Sequence, residues 1–301
     1  MKTLLNKGVF KLYTEREGKE VLLGQTDNMV VDKGLDLICL KDNGLVIAKC
    51  VLSADSSLIT ADTTQIPSAI AISNNRISTE YGAKETAPYY YWYKTTFQFE
   101  ANQAVGNLNK IGITDDNNNI FSVAAFRDPE GNPTTIQLME SERLRVIYEY
   151  RVYVETSDVV LNNVKLFTNS DNVYKITIRP SSITDHSVAR WLCNGLHMTS
   201  AYDYNGNNII GFRGAIAGIK SAPVDQLFVK RDAFSSPAYQ PGSLVKYFNV
   251  NFGYEEFNST NGISSLLIAT SRGCFQIGID PPLVKNSQQL MSISIPITVS
   301  R

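Results

Sequence analysis

A single stretch decides the fold class: Leu144-Arg145-Val146-Ile147-Tyr148-Glu149-Tyr150-Arg151-Val152-Tyr153-Val154. Apolar and aromatic side chains there alternate with arginine and glutamate, which is the two-residue period of a strand with one buried face. The same period returns near the end of the chain, at Met291, Ile293, Ile295, Ile297 and Val299. Two such strands predict a mainly β protein.

Each of these two strands comes last in a series of short segments that match between the two halves of the sequence. This ordered matching predicts an internal duplication. Lys11-Leu12-Tyr13-Thr14 returns as Lys165-Leu166-Phe167-Thr168. Further matches, each predicted to be a short strand, keep the same order: Ala69-Ile70-Ala71 with Ala215-Ile216-Ala217, Phe97-Gln98-Phe99 with Val250-Asn251-Phe252, and Phe121-Ser122-Val123-Ala124 with Phe275-Gln276-Ile277-Gly278. We therefore expect two tandem antiparallel β-sandwich-like domains, residues 1–156 and 157–301. Convergent β patterning is the alternative explanation of the matches.

Each half also carries signals for a hairpin, a short helix and a proline turn. The hairpins are expected over residues 8–23 and 164–178. Asp32 and Asp185 each precede an apolar run that ends at an Asn-Gly pair, and this combination predicts two short helices with aspartate caps. The proline turns are expected at Asp128-Pro129 and Asp280-Pro281.

Composition excludes several classes of function. The 301 residues are 43% hydrophobic and 19% charged, which is typical of a folded chain. With 28 basic and 29 acidic residues and no long run of one sign, nothing indicates a nucleic-acid or membrane surface. Residues 1–7 lack the apolar core of a secretory signal, so we expect synthesis in a cytoplasm. Cys39, Cys50, Cys193 and Cys274 lie in apolar or strand-like contexts without metal spacing, which predicts reduced, buried thiols.

Candidate catalytic and metal-binding residues are few. The two histidines, His186 and His197, lack the sequence context of a catalytic triad or a zinc protease, and we interpret both as structural. Residues 115–119 and 203–208 place oxygen donors at alternate positions, as calcium loops do. Neither completes the calcium pattern, and hairpin turns explain both. No paired carboxylates stand out for glycoside hydrolysis, so we expect no enzyme activity and no cofactor.

The most conspicuous local cluster is Tyr89-Tyr90-Tyr91-Trp92-Tyr93. In a strand, Tyr90 and Trp92 face opposite to the other three tyrosines, so one face fills the core and the other meets a neighbouring domain or subunit. A sugar-stacking platform is the alternative. Pro296 is the second candidate contact residue, because proline removes a ladder donor and suits an edge strand or a strand beside another subunit.

Residues 28–153 resemble a family of tailed-bacteriophage virion proteins. The segments that carry the resemblance are residues 28–36, 53–64, 93–99, 106–114, 128–136 and 144–151. The second half resembles that family only through the internal repeat. The resemblance implies a structural role in tails, necks or fibres, with other virion proteins as partners and several copies in a symmetric assembly.

The sequence thus favours a non-enzymatic component of a phage particle, in the tail, the neck or collar, or the fibre attachment region. A module that recognises carbohydrate on the host surface is the first alternative. A polysaccharide depolymerase and a capsid decoration protein are further alternatives.

Overall fold

Strands dominate the fold. A computed structural model describes residues 2–16, 18–41, 44–128, 130–167, 171–198, 209–230 and 234–301. These residues form 21 strands, one α-helix and one 3₁₀-helix. The prediction of a mainly β protein is confirmed.

The elements of the first half are β1 (Lys2–Arg16), β2 (Lys19–Asp27), β3 (Met29–Val30), α1 (Asp32–Leu40), β4 (Lys49–Ser53), β5 (Ala69–Ser73), β6 (Arg76–Ala83), β7 (Tyr90–Phe99), β8 (Gly106–Leu108), β9 (Lys110–Thr114), β10 (Ile120–Ala125), β11 (Ile136–Leu138) and β12 (Leu144–Val154). Those of the second half are β13 (Val159–Val164), β14 (Tyr174–Ser181), the 3₁₀-helix η1 (His186–Trp191), β15 (Ile209–Phe212), β16 (Gln226–Lys230), β17 (Phe234–Ser235), β18 (Val245–Phe252), β19 (Ser259–Thr270), β20 (Gly273–Lys285) and β21 (Met291–Ser300).

One sheet of eight strands runs through both halves. Its order is β17-β18-β21-β1-β12-β7-β6, and β2 pairs with β1. A five-stranded sheet, β3-β10-β9-β4-β5, covers the first-half strands, where the Phe121 and Tyr150 rings meet edge to face at 5.3 Å. A six-stranded sheet, β13-β14-β20-β19-β15-β16, covers the second-half strands, and Ile277 and Ile295 face one cavity between the two layers. Strands β8 and β11 form a separate pair.

Strand β1 joins the two halves. It pairs antiparallel with β12 from Leu4 to Thr14, and its first residues, 2–5, pair in parallel with residues 297–300 of β21. The buried side chain of Asn6 reinforces this junction by donating to the carbonyl of Ser300 at 2.7 Å. The first and last strands of the chain are therefore neighbours in one sheet.

Helix α1 occupies the predicted position, but its predicted cap is wrong. The N-cap residue is Val31, and no side chain caps the helix. Asp32 lies in the first turn, where its backbone N–H donates to the carbonyl of Ala61 and its carboxylate pairs with Arg301 at 2.6 Å. Gly34 lets the helix approach β10, because a Cβ atom there would lie 1.9 Å from the carbonyl oxygen of Phe121.

The second predicted helix is shorter than expected. The carboxylate of Asp185 caps it as predicted, accepting from the backbone N–H of Ser187 at 2.9 Å. The segment is a 3₁₀-helix that ends at Trp191, whereas the apolar run predicted a helix as far as Cys193. Pro129 and the predicted stop residue Asn43 lie outside the described residues.

Three predictions for the second half of the chain are wrong in detail. Residues 215–217 form no strand, because the buried amide of Gln276 binds both backbone groups of Ala217 in place of a ladder partner. The second hairpin pairs residues 159–164 with 174–178, so Lys165 to Phe167 lie outside it, and residues 168–170 are not among those described. Asp280-Pro281 lies inside β20 instead of forming a turn, at a point where the pairing with β19 shifts register.

Backbone hydrogen bonds connect the segments that follow the two helices. Gly195 donates to the carbonyl of Gly44 at 3.0 Å, Val46 donates to Cys193 at 2.8 Å, and Leu196 donates to a carbonyl of α1 at 2.6 Å. The contact is so close that a Cβ atom on Gly195 would lie 1.6 Å from the carbonyl oxygen of Lys41. We call residues 44–47 and 193–196 the seam.

A fully buried arginine supports the seam. The guanidinium of Arg272 donates to the carbonyls of Trp191 at 3.3 Å, Ser271 at 3.1 Å and Asn194. Its carbon atom lies 5.7 Å from the centre of the Tyr150 ring of β12. One side chain of the second half thus holds the end of η1 and packs against the eight-stranded sheet in the first half.

Candidate interaction surfaces

The aromatic cluster lies mostly on β7, between β6 and β12 in the eight-stranded sheet. Within the strand the predicted alternation is confirmed, since Tyr91 and Tyr93 are 0% and 3% exposed whereas Tyr90 and Trp92 are half-buried on the opposite face. Tyr89 precedes the strand and is also half-buried. The cluster therefore divides into a core-facing pair and an outward-facing pair.

The core-facing tyrosines are part of the framework. The hydroxyl of Tyr91 lies 3.5 Å from the carbonyl of Ser182, so it reaches into the second half. Burial raises the pKa of Tyr93 to about 12, which keeps its hydroxyl neutral. Both side chains contribute packing and hydrogen bonds, and neither faces solvent.

The outward-facing pair belongs to a larger surface that we call the aromatic patch. Tyr153 of β12 stands directly opposite Tyr90, and their rings are 5.0 Å apart. Trp92 stands opposite Gly82 of β6, which leaves room for the indole, because a Cβ atom on this glycine would lie 2.6 Å from it. The patch consists of Tyr90, Trp92 and Tyr153 together with the cations Lys84, Lys94 and Arg151.

Cations lie over the rings of the patch. Arg151 and Lys84 are 5.1 Å and 5.6 Å from the centre of the Tyr90 ring, and Lys94 is 5.6 Å from that of Trp92. Burial acts to lower the pKa of Arg151, but hydrogen bonds to Glu149 and Tyr153 outweigh it and raise this pKa above its usual value. Arg151 is therefore a fixed charge on the patch. Cation–π contacts of this kind favour a defined arrangement of the exposed rings.

Pro296 lies in the other half of the same sheet. It stands opposite Tyr247 of β18, and the parallel pairing of β21 with β1 begins one residue later, at Ile297. Along residues 291–296 the second edge of β21 has no partner strand among the described residues. The sequence suggested an edge at Pro296, and the structure places the residue where one edge of an otherwise internal strand becomes free.

The calcium candidate in the first half is a hairpin turn. Asp115 is fully buried and accepts from the backbone N–H groups of Asn117 and Asn119, at 2.9 Å and 2.8 Å, and from Lys41 at 2.8 Å. Burial acts to raise the pKa of Asp115, but the hydrogen bonds from Lys41 and Asn119 outweigh it and lower the pKa. The second candidate, residues 203–208, lies outside the described residues.

The remaining candidate chemical groups are part of the packing. His197 holds its Nδ1 atom 2.9 Å from the carbonyl of Gly195 and packs edge to face on Trp191. The side chain of His186 is outside the described part of the structure. All four cysteines are free and buried, as predicted, and burial raises the pKa of each thiol. No three His, Cys, Asp or Glu side chains in the described ranges are grouped to hold a metal.

Four positions of the patch were not predicted: Lys84, Lys94, Arg151 and Tyr153. Tyr153 and Arg151 belong to the alternating stretch Leu144–Val154, but their place beside Tyr90 depends on how β12 pairs with β7.

Where the chain is described, no helix is long and apolar enough to cross a membrane.

Comparison with known proteins gives no relative: no protein-family model, no curated protein and no solved structure matches this chain.

Proposed function

We propose that the chain is a non-enzymatic structural component of a tailed phage particle, in the tail, the neck or collar, or the fibre attachment region. There it docks neighbouring virion proteins, and several copies occupy a symmetric assembly. The resemblance of residues 28–153 to tailed-phage virion proteins supports a place in the particle. The aromatic patch on the outer face of the shared sheet is the observation that supports docking. Tyrosine, tryptophan and arginine, which the patch combines at Tyr90, Trp92, Tyr153 and Arg151, are enriched where proteins meet.

The geometry of the patch favours a protein contact over sugar stacking. A sugar stacks on an open ring face, whereas Tyr90 and Trp92 already carry cations at 5.1–5.6 Å. Lys94 and Arg151 are paired with Glu80 and Glu149, each at 2.6 Å, so most of the positive charge of the patch is neutralised within it. A protein surface that covers the rings with its own apolar or aromatic side chains is therefore the partner that the patch fits best.

We further propose that residues 1–156 and 157–301 are tandem sandwich-like copies. The order of the covering sheets supports this, because β10-β9-β4-β5 in the first half corresponds to β20-β19-β15-β16 in the second. The shared sheet supports it too, since β12-β7-β6 corresponds to β21-β18-β17. In both halves the helix precedes these strands in the chain.

The test is the composition of purified particles. Mass spectrometry of particles freed of lysate proteins should find the chain at a fixed copy number. The double variant Tyr90→Ala with Trp92→Ala should fold normally and be incorporated at a strongly reduced level. The control is Tyr254→Ala, which removes an exposed tyrosine from a turn far along the chain.

The alternatives give different results. Absence of the chain from particles would refute the virion role. Normal incorporation of the double variant would refute the role of the patch. Binding of the isolated chain to host-surface glycans, lost in the double variant, would favour the carbohydrate-recognition alternative.

A further inference from the structure

Equivalent strands of the two halves differ in how many of their residues are paired along each edge. Strand β12 is paired along both edges, with β7 on one side and with β1 from Leu4 to Thr14 on the other. Its counterpart β21 pairs with β18 along residues 291–298, but with β1 only along residues 297–300. Among the described residues, no strand lies beside residues 291–296 of β21 in the way that β1 lies beside β12.

The space behind this free edge is apolar and incompletely filled. A cavity of about 200 Å³ separates Ile293 and Ile295 of β21 from Leu266 and Ile277 of the covering sheet. In the first half the corresponding residues of β12, Val146 and Tyr148, stand opposite two fully buried side chains of β1, Leu12 and Phe10. The second half thus lacks the two apolar side chains that the first half receives from β1.

The free edge borders further exposed apolar surface. Leu161 lies on β13, which is an edge strand of the covering sheet, faces the same cavity and is 45% exposed. Leu290, just before β21, is 59% exposed, and a more open cavity of about 760 Å³ continues beside it between Phe167 and Met291. Unpaired strand edges next to exposed apolar side chains are sites where an added strand binds.

We propose that residues 291–296, with the apolar groove behind them, accept an extended segment of another protein. The segment runs antiparallel to β21, as β1 runs to β12, and inserts apolar side chains at alternate positions opposite Ile293 and Ile295. A second copy of this chain does not supply it from the equivalent strand, because β1 is already paired with β12 on one edge and with β21 and β2 on the other. The inference rests on the proposed structural role, which supplies a neighbouring virion protein as the source, and on the proposed duplication.

The internal counterpart provides a probe. A fluorescein-labelled peptide with the sequence of residues 9–16 contains Phe10 and Leu12. It leaves out Gly8, because the position that Gly8 would take, beside Ile297, is already occupied by Lys2. Fluorescence anisotropy with the full chain should show saturable binding. A peptide with F10S and L12S should bind at least about tenfold more weakly, because it loses two buried apolar side chains.

Variants of the chain locate the site. Ile293→Lys should weaken binding of the probe about tenfold or more, whereas Ile77→Lys, at an isoleucine of β6 that is 46% exposed, should leave it unchanged. Hydrogen exchange provides a second measurement that does not depend on a variant. The probe should slow exchange of those amides of residues 291–295 that face away from β18 and leave those of β12 unaffected.

No saturable binding, or equal binding of the two peptides, would overturn the inference. Slower exchange confined to β12 would also overturn it, because the probe would then be exchanging with β1. Particle composition is measured separately. If the chain is present in particles but does not bind the probe, only the proposal that residues 291–296 bind an added strand is rejected. If the chain binds the probe but is absent from particles, the proposal that the partner is a virion protein is rejected.

Discussion

Adding one methyl group to the seam is expected to cost much of the chain's stability. Gly195→Ala places a Cβ atom 1.6 Å from the carbonyl oxygen of Lys41, and this neighbour is backbone that no side-chain rotation can move. Separating the two segments stretches the bonds of Gly195 to Gly44 and of Val46 to Cys193. Each such bond contributes about 1 kcal/mol net, and overpacking itself costs about 1–3 kcal/mol.

The expected loss is therefore about 3–5 kcal/mol in the free energy of unfolding. Because one sheet runs through both halves, we expect them to unfold together. A cooperative unit of this size loses about 2 °C in Tm per kcal/mol, so the melting temperature should fall by about 6–10 °C. Urea unfolding followed by tryptophan fluorescence suits the measurement, because Trp191 accepts a hydrogen bond from Arg272 beside the seam.

Two glycine controls separate the close contact from the general effect of alanine. At Gly218 nothing lies within 4 Å of an added Cβ atom, so Gly218→Ala should be neutral or stabilise by about 0.4–1 kcal/mol. At Gly44 the nearest atom, at 3.3 Å, belongs to the flexible side chain of Lys41, so Gly44→Ala should cost about 1 kcal/mol or less. If Gly195→Ala unfolded at the same urea concentration as Gly218→Ala, the reasoning about the seam would be refuted.

Three further predictions concern buried polar groups. Asp115→Asn should lose about 1–3 kcal/mol at pH 7, because the ion pair with Lys41 is removed. Since the folded-state pKa of Asp115 is lowered, this difference should shrink as the pH falls below about 4, and urea midpoints that differ equally at pH 7 and pH 3 would contradict it. Arg272→Met should lose about 2–4 kcal/mol in urea unfolding, because three carbonyl groups each lose one hydrogen bond, whereas the exposed control Arg143→Met should change little. None of the four cysteines should react with a thiol reagent in the native chain at about pH 8, and all four should react in guanidinium; rapid native labelling would show that a thiol is accessible.

The parts of the fold that could be predicted are those that one segment specifies by itself. Alternation along Leu144–Val154 identifies a strand and its buried face, because neighbouring side chains point to opposite faces wherever the strand pairs. Residues 215–217 repeat the Ala-Ile-Ala string that begins β5 but form no strand, because the side chain of Gln276, about sixty residues later in the chain, binds the backbone there. A local pattern carries no information about such a distant competitor.

The candidate surfaces could also be predicted only in part. Alternation predicted which aromatic residues of β7 face outward, but the contact of Tyr90 with Tyr153 depends on the register between two strands far apart in the chain. The free edge beside Pro296 depends on where the parallel pairing of β1 and β21 begins. Proline indicated an interruption in that strand, and only the pairing shows which edge is open.

The parallel junction of β1 and β21 has a mechanical consequence. Because the two strands run in the same direction, a force that pulls the two ends of the chain apart slides residues 2–5 along residues 297–300. The backbone bonds of this junction then bear the load together, whereas a hairpin pulled from its open end loses them one at a time. Under tension between its ends, the chain should resist extension at this junction first and yield abruptly once it breaks.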